Sequence, residues 1–157
     1  MRFSRIFVTG SIVASLIGTA VFAGSHITPE MAAAKARQSH MQLSAFNLGI
    51  LGEMAKGTVE FDAAASQAAA DNLAALATMN QTAYWKAGSS NFDIENTAAL
   101  PEIWDNIPDV VAKAQGLAEA AVAMQASAGT LEGVQANIGA VGGACGACHK
   151  VYRQPNN

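Results

Sequence analysis

The two cysteines of this 157-residue chain, Cys145 and Cys148, stand three apart, and His149 follows the second directly. On a helix, residues three apart share a face. Both thiols of such a pair can add to the two vinyl groups of one porphyrin, and an imidazole beside the second reaches the iron from the same side. Cys145-Gly146-Ala147-Cys148-His149 therefore reads as the attachment motif for haem c, one per chain, covalently bound. Competing chemistries suit the run less well. A disulfide across three helical residues departs from relaxed geometry. A thioredoxin-like pair needs a βαβ setting. A zinc site needs about four ligands, and His26 and His40 are the only other histidines. No Ser–His–Asp set, paired catalytic carboxylates or phosphate loop stands out, so no enzyme activity is expected.

The elements that must position these residues read as helices. Alanine dominates from Met31 onward while valine and threonine are thin, which favours helix over sheet. A first helix opens at Thr28-Pro29-Glu30: a capping hydroxyl, a first-turn proline and an acid. Its apolar positions Met41, Leu48, Leu51 and Ala55 recur at helical steps, and Lys56-Gly57 ends it. A second starts after the cap Asp62 and runs to about Met79. Asn80–Leu100 is a long connection with turn chemistry at Gly88-Ser89-Ser90-Asn91. A third helical segment begins at Pro101-Glu102, and Pro108 predicts a break at Ile107. A fourth starts at Thr130 and carries Leu131, Val134, Ile138, Val141, Cys145, Cys148 and Tyr152 on one face. Gly139, Gly142, Gly143 and Gly146 interrupt its propensity, and are expected to let something large approach the backbone. The fold class expected is all-α: an antiparallel four-helix bundle with one long connection between helices 2 and 3.

The first 23 residues read as a secretory signal peptide. Arg2 and Arg5 form a positive start, Ile6–Ala20 is apolar, and Val21-Phe22-Ala23 is a cleavage signature. The apolar stretch is short for a membrane span of about 20 residues. Cleavage near Ala23 leaves a four-helix domain, Gly24–Asn157, with no stable membrane span and 7 basic side chains against 12 acidic ones. Such a balance argues against nucleic acid as a partner. Export to the periplasm fits the motif, because c-type haem is attached outside the cytoplasm.

The motif lies near the C-terminus, on the last of four helices, and this arrangement resembles the class II c-type cytochromes, the cytochrome c-prime family and its low-spin relatives. The resemblance extends over Arg37-Gln38-Ser39-His40-Met41, Leu51-Gly52-Glu53-Met54-Ala55-Lys56-Gly57 with Phe61-Asp62, Pro101-Glu102-Ile103-Trp104, and Cys145–His149 with Tyr152-Arg153. It implies that the fourth helix supplies the thioethers and the proximal histidine, His149. It implies that the residue four after Arg37, here Met41, faces the other side of the iron. It also implies that Arg37 and Arg153 lie near the haem propionates. Arg153 is four residues after His149, so the two share a helix face in any case.

Met41 separates two function classes. A methionine on an apolar helix stripe is by default core filling. Members of the family with methionine here are split between those that form the Met–Fe bond and those that leave the iron five-coordinate. The pattern from Asn47 to Asp62 resembles the methionine-ligated branch. That implies an electron carrier passing one electron between periplasmic redox partners, with His149 and Met41 as axial ligands. The alternative is a cytochrome c-prime that binds nitric oxide or carbon monoxide at an open sixth site. Relatives are often homodimers through the first two helices, and the small residues there allow one. His40, about 100° round the helix from Met41, is expected at the surface. Met54, Met79 and Met124 are expected in the core, Tyr84-Trp85 tucked under the long connection, and Trp104 packed below it.

Overall fold

The computed structural model describes residues 27–155. The segment read as a signal peptide, and His26, lie outside the described residues. Five α-helices follow one another: α1 (Pro29–Lys56), α2 (Ala63–Thr78), α3 (Glu102–Asp105), α4 (Ile107–Ser127) and α5 (Leu131–Tyr152). Among the described residues there is no strand, only an isolated bridge between Ala99 and Arg153.

The helix limits follow from local chemistry. Thr28 Oγ1 accepts from the Met31 amide at 3.2 Å at the start of α1. Gly57 closes that helix in the left-handed region, at φ 73°, with its amide on the Met54 carbonyl. Only glycine adopts this conformation at no steric cost. Asp62 Oδ1 accepts from the amides of Ala64 and Ala65 and so caps α2. Thr130 Oγ1 accepts from the Gly133 amide at the start of α5. A Cβ on Gly133 would stand 2.0 Å from the Ser127 carbonyl oxygen, so the α4–α5 turn can close this tightly only around a glycine.

The third helical segment is divided one residue earlier than the proline rule suggests. The break falls at Asn106, whose side chain accepts from the Asp109 amide, and Ile107 already begins α4. Pro108 sits in the first turn of the new helix, where its missing N–H costs no hydrogen bond.

α1, α2, α4 and α5 form a ring in which α1 packs on α2, α2 on α4, α4 on α5 and α5 on α1. Short turns join α1 to α2 and α4 to α5, so each is antiparallel to the next. The Asn80–Leu100 connection folds across one end of the bundle. Lys86 pairs with Glu30 at the start of α1, and the Gln154 amide donates to the Ala98 carbonyl just past the end of α5.

The core is in two parts. At the end away from the connection, Leu51, Leu73, Met124, Val134 and Val141 are fully buried with the small residues Ala69, Ala70, Ala74 and Ala121. The alanines let α2 approach its neighbours closely. At the connection end Ile103, Val110 and Tyr152 form a separate cluster, against which Trp85, Trp104 and Cys148 pack. Met54 and Met124 are core residues as expected, but Met79 is 46% exposed at the end of α2. Gly139, Gly142, Gly143 and Gly146 all lie on the exposed face of α5 with open space around them. They do not make room inside the bundle. The internal space arises instead from the gap between the two core clusters.

Candidate functional site

α5 presents Cys145, Cys148 and His149 to the bundle half nearest the connection, and α1 faces it there. Two cavities open in this half, of about 410 and 810 Å³. Met41, Ala45, Trp85, Cys148 and His149 line both. The larger runs on between α1, α2, α4 and α5 past Cys145 and His40. The smaller reaches Arg37, Tyr152 and Arg153 beneath the connection. All six residues singled out from the sequence, two cysteines, His149, Met41, Arg37 and Arg153, therefore border one continuous region.

The two thiols are free and half-buried. Burial pushes both up from their ordinary values, so they are protonated at neutral pH. His149 is pushed down, first by burial and then by the charge of Arg153. Its imidazole is thus neutral at pH 7 and keeps a lone pair for a metal. Among the described residues, no group of three His, Cys, Asp or Glu side chains could hold a metal ion by itself.

Arg37 is only 4% exposed. Its guanidinium donates to the Tyr84 carbonyl at 2.7 Å, the Ser89 carbonyl at 2.8 Å, Ser89 Oγ at 3.2 Å and Thr97 Oγ1 at 3.3 Å. It lies 5.0 Å from the Trp85 ring centre and 5.9 Å from that of Trp104. Trp104 Nε1 in turn donates to the Trp85 carbonyl, which places Trp104 under the connection as expected. One buried cation so holds both sides of the connection and the indole that roofs the cavities. Arg153 ends α5, with its amide on the His149 carbonyl.

Three features escape the sequence. His40 is 6% exposed rather than on the surface, tilted against Tyr84 with ring centres 5.8 Å apart, and it lines the larger cavity. The helix is enclosed on more than one side, by α2, α5 and the connection, so a 100° step from Met41 still points inward. Trp85, expected under the long connection, also lines both cavities, a role that its place in a loop does not show. Tyr152 donates to Asp109 Oδ2 at 2.6 Å, and Lys113 pairs with Asp109 at 3.2 Å. The i,i+4 spacing of Asp109 and Lys113 was available in the sequence; their meeting with Tyr152, 43 residues away, was not.

A haem fits these residues. Each of the two cavities is within the roughly 300–1,000 Å³ of small-molecule and cofactor sites. The walls of the continuous region are mostly apolar. Two thiols open on it from one helix face, a neutral imidazole stands beside them, a thioether comes from the facing helix, and two cations border the smaller cavity.

Comparison with known proteins agrees. The family model described as Cytochrome C' matches residues 32–153. Cytochrome c-554 of Cereibacter sphaeroides is 43% identical over 119 residues, 75% of this chain and 78% of that protein. A solved cytochrome c' from Rhodobacter sphaeroides superposes with a TM-score of 0.78 at 33% identity, covering 81% of this chain and 98% of that one. A second solved cytochrome c', described as having an unusual ligand-controlled dimer dissociation, gives 0.74 at 30% identity, covering 82% and 98%. With motif, bundle and cavity in agreement, the chain belongs to the cytochrome c' family, as a c-type haem protein carrying one covalently attached haem c.

Proposed function

We propose that this cytochrome carries single electrons in the periplasm, with Cys145 and Cys148 as the thioether anchors, His149 as the proximal ligand and Met41 as the distal one. The bound haem supplies a one-electron Fe(III)/Fe(II) couple. The observation that carries this reading is that Met41 of α1 and His149 of α5 border the same two cavities, together with Cys148. The neutral His149 and the soft Met41 thioether would hold the iron in both oxidation states, which would keep reorganisation small, and Met/His ligation raises the potential. Arg37 and Arg153 provide cations for the haem carboxylates at the smaller cavity. Trp85 and the apolar wall limit water.

An ordinary visible spectrum of the purified protein in both oxidation states tests this. Low-spin spectra, with the weak thioether band in the oxidised form, are expected. A high-spin spectrum near neutral pH overturns Met41 as ligand. The five-coordinate, gas-binding reading then takes its place, and the volume of the larger cavity beside Met41 favours it as the second choice.

Assembly as a homodimer through α1 and α2 belongs to the same proposal. Leu43 and Phe46 are 53% and 67% exposed on the outer face of α1, and a similar solved cytochrome c' is described as a dimer. Sedimentation should give a dimer that Phe46→Glu dissociates. A monomeric wild type sinks this part alone. Among the described residues no helix is long and apolar enough to cross a membrane, and periplasmic redox proteins are the partners proposed.

A further inference from the structure

The larger cavity contains a buried polar group that neither haem attachment nor axial ligation uses. His40 is 6% exposed, and its ring nitrogens have no hydrogen-bond partner among the described residues. Its ring is tilted against that of Tyr84. Neither ring nitrogen is sealed in: among the described residues the fully buried, unpartnered side-chain atoms are Ser66 Oγ and Asn91 Oδ1, so the imidazole keeps access to the cavity it lines. Two other polar side chains on the same wall, those of Ser44 and Thr78, are already committed. Ser44 Oγ donates to the His40 carbonyl at 2.9 Å, and Thr78 Oγ1 donates to the Ala74 carbonyl at 2.8 Å. The Tyr84 hydroxyl, just behind, donates to the Met79 sulfur. His40 thus has free hydrogen-bonding capacity on the wall of the cavity that Met41 also lines.

We infer that His40 is the hydrogen-bond donor of the distal side, and that its ring N–H binds a small diatomic ligand held at the sixth iron position whenever Met41 is off the iron. This rests on the haem lying between His149 and Met41. Distal polarity decides how a haem treats such ligands. Here it would give an electron carrier a latent binding site, closed by a thioether and already furnished with a donor.

Carbon monoxide is the probe, added to reduced holoprotein carrying Met41→Ala. The C–O stretch and the dissociation rate are measured, then compared with Met41→Ala/His40→Leu and Met41→Ala/His40→Gln. Loss of the donor in the leucine variant should raise the C–O stretch and speed dissociation by about fivefold, the effect of one ordinary hydrogen bond. Glutamine, which retains an N–H, should restore part of both. A small shift of the bound-ligand bands on transfer of Met41→Ala to heavy water should report the exchangeable proton without any change at His40, which serves if the leucine variant does not fold. Equal frequencies in the Met41→Ala and Met41→Ala/His40→Leu proteins, or bands indifferent to heavy water, overturn the inference. So does a Met41→Ala protein that refuses carbon monoxide and shows two imidazole ligands, because His40 would then be a ligand. If wild type already binds carbon monoxide freely, the Met41 ligation fails instead, and the same His40 comparisons made in the wild-type background still decide this question.

Discussion

At the scale of single residues, the proposed haem ligands and the structural anchors separate by what each touches. Replacing Cys145 or Cys148 by alanine should sharply lower the yield of holoprotein. Acid–acetone extraction of the wild type should leave the colour on the chain, and haem found in the extract would refute the covalent attachment. Met41→Ala should convert the spectrum to high spin and lower the potential, while Met54→Ala, deep in the other half of the bundle, should do neither; spectra and redox titration decide. Tyr152 and Asp109 give a pH signature. The Asp109 hydrogen bond, then burial, push the Tyr152 phenol from its ordinary 10 to about 12. The folded state therefore favours the protonated phenol. Its stabilising contribution is full below pH 10 and is lost as pH rises from about 10 to about 12. Tyr152→Phe should flatten that alkaline decline in denaturant midpoint, and an unchanged decline would sink the assignment. At this scale the sequence was most informative where chemistry is local. Cys145, Cys148 and His149 are neighbours and were legible at once. The hold of Arg37 on Tyr84, Ser89 and Thr97 spans 47 to 60 residues, and nothing in the one-dimensional pattern marks those partners.

At the scale of the elements, caps and glycines decide where helices stop and how close they come. Thr28, Gly57, Asp62 and Thr130 were legible because each cap acts within four residues of its own chain. The split between α3 and α4 was legible only to within one residue, because both Asn106 as a cap and Pro108 as a first-turn residue satisfy the same break. The glycines of α5 were misjudged for a different reason. Propensity says that a glycine weakens a helix but not which way it faces. Facing is set by tertiary packing, which puts Gly142 outward with nothing near its Cβ position. Two opposite outcomes follow for the same substitution. Gly142→Ala should stabilise the protein by about 0.5–1 kcal/mol, the helix-propensity difference on an open surface. Gly133→Ala should destabilise it by about 1–3 kcal/mol, because the new methyl meets the Ser127 backbone, which must move. Chemical denaturation of the two variants beside wild type checks both signs.

At the scale of the whole molecule, the bundle is a ring of four antiparallel helices whose interior is packed in two places and open between them. The cluster around Leu51, Met124 and Val141 closes one part, and that around Ile103, Val110 and Tyr152 closes the other. Between them lies a cavity of about 810 Å³ bordered by Cys145, Cys148 and His149. Helix count, order and antiparallel sense were legible, since amphipathic stripes with short turns admit few arrangements. The division of the core was not, because the apolar stripe of α5 runs without interruption from Leu131 to Tyr152 through both clusters and the cavity. That division has a thermodynamic consequence. Closing such a space by collapse would disturb the packing of all four helices, whereas a haem tethered at Cys145 and Cys148, as proposed, would fill it and link the two clusters. A group bound only by the native state stabilises that state by linkage, and dispersion contacts missing from an unfilled space are recovered when it is occupied. Apoprotein should therefore unfold at clearly lower denaturant than holoprotein, with the connection-end half losing its structure first, since the Leu51 cluster is complete without haem. Denaturation followed by far-ultraviolet dichroism, with hydrogen exchange to localise the loss, tests both statements; equal midpoints for the two forms would show that the bundle stands without its cofactor.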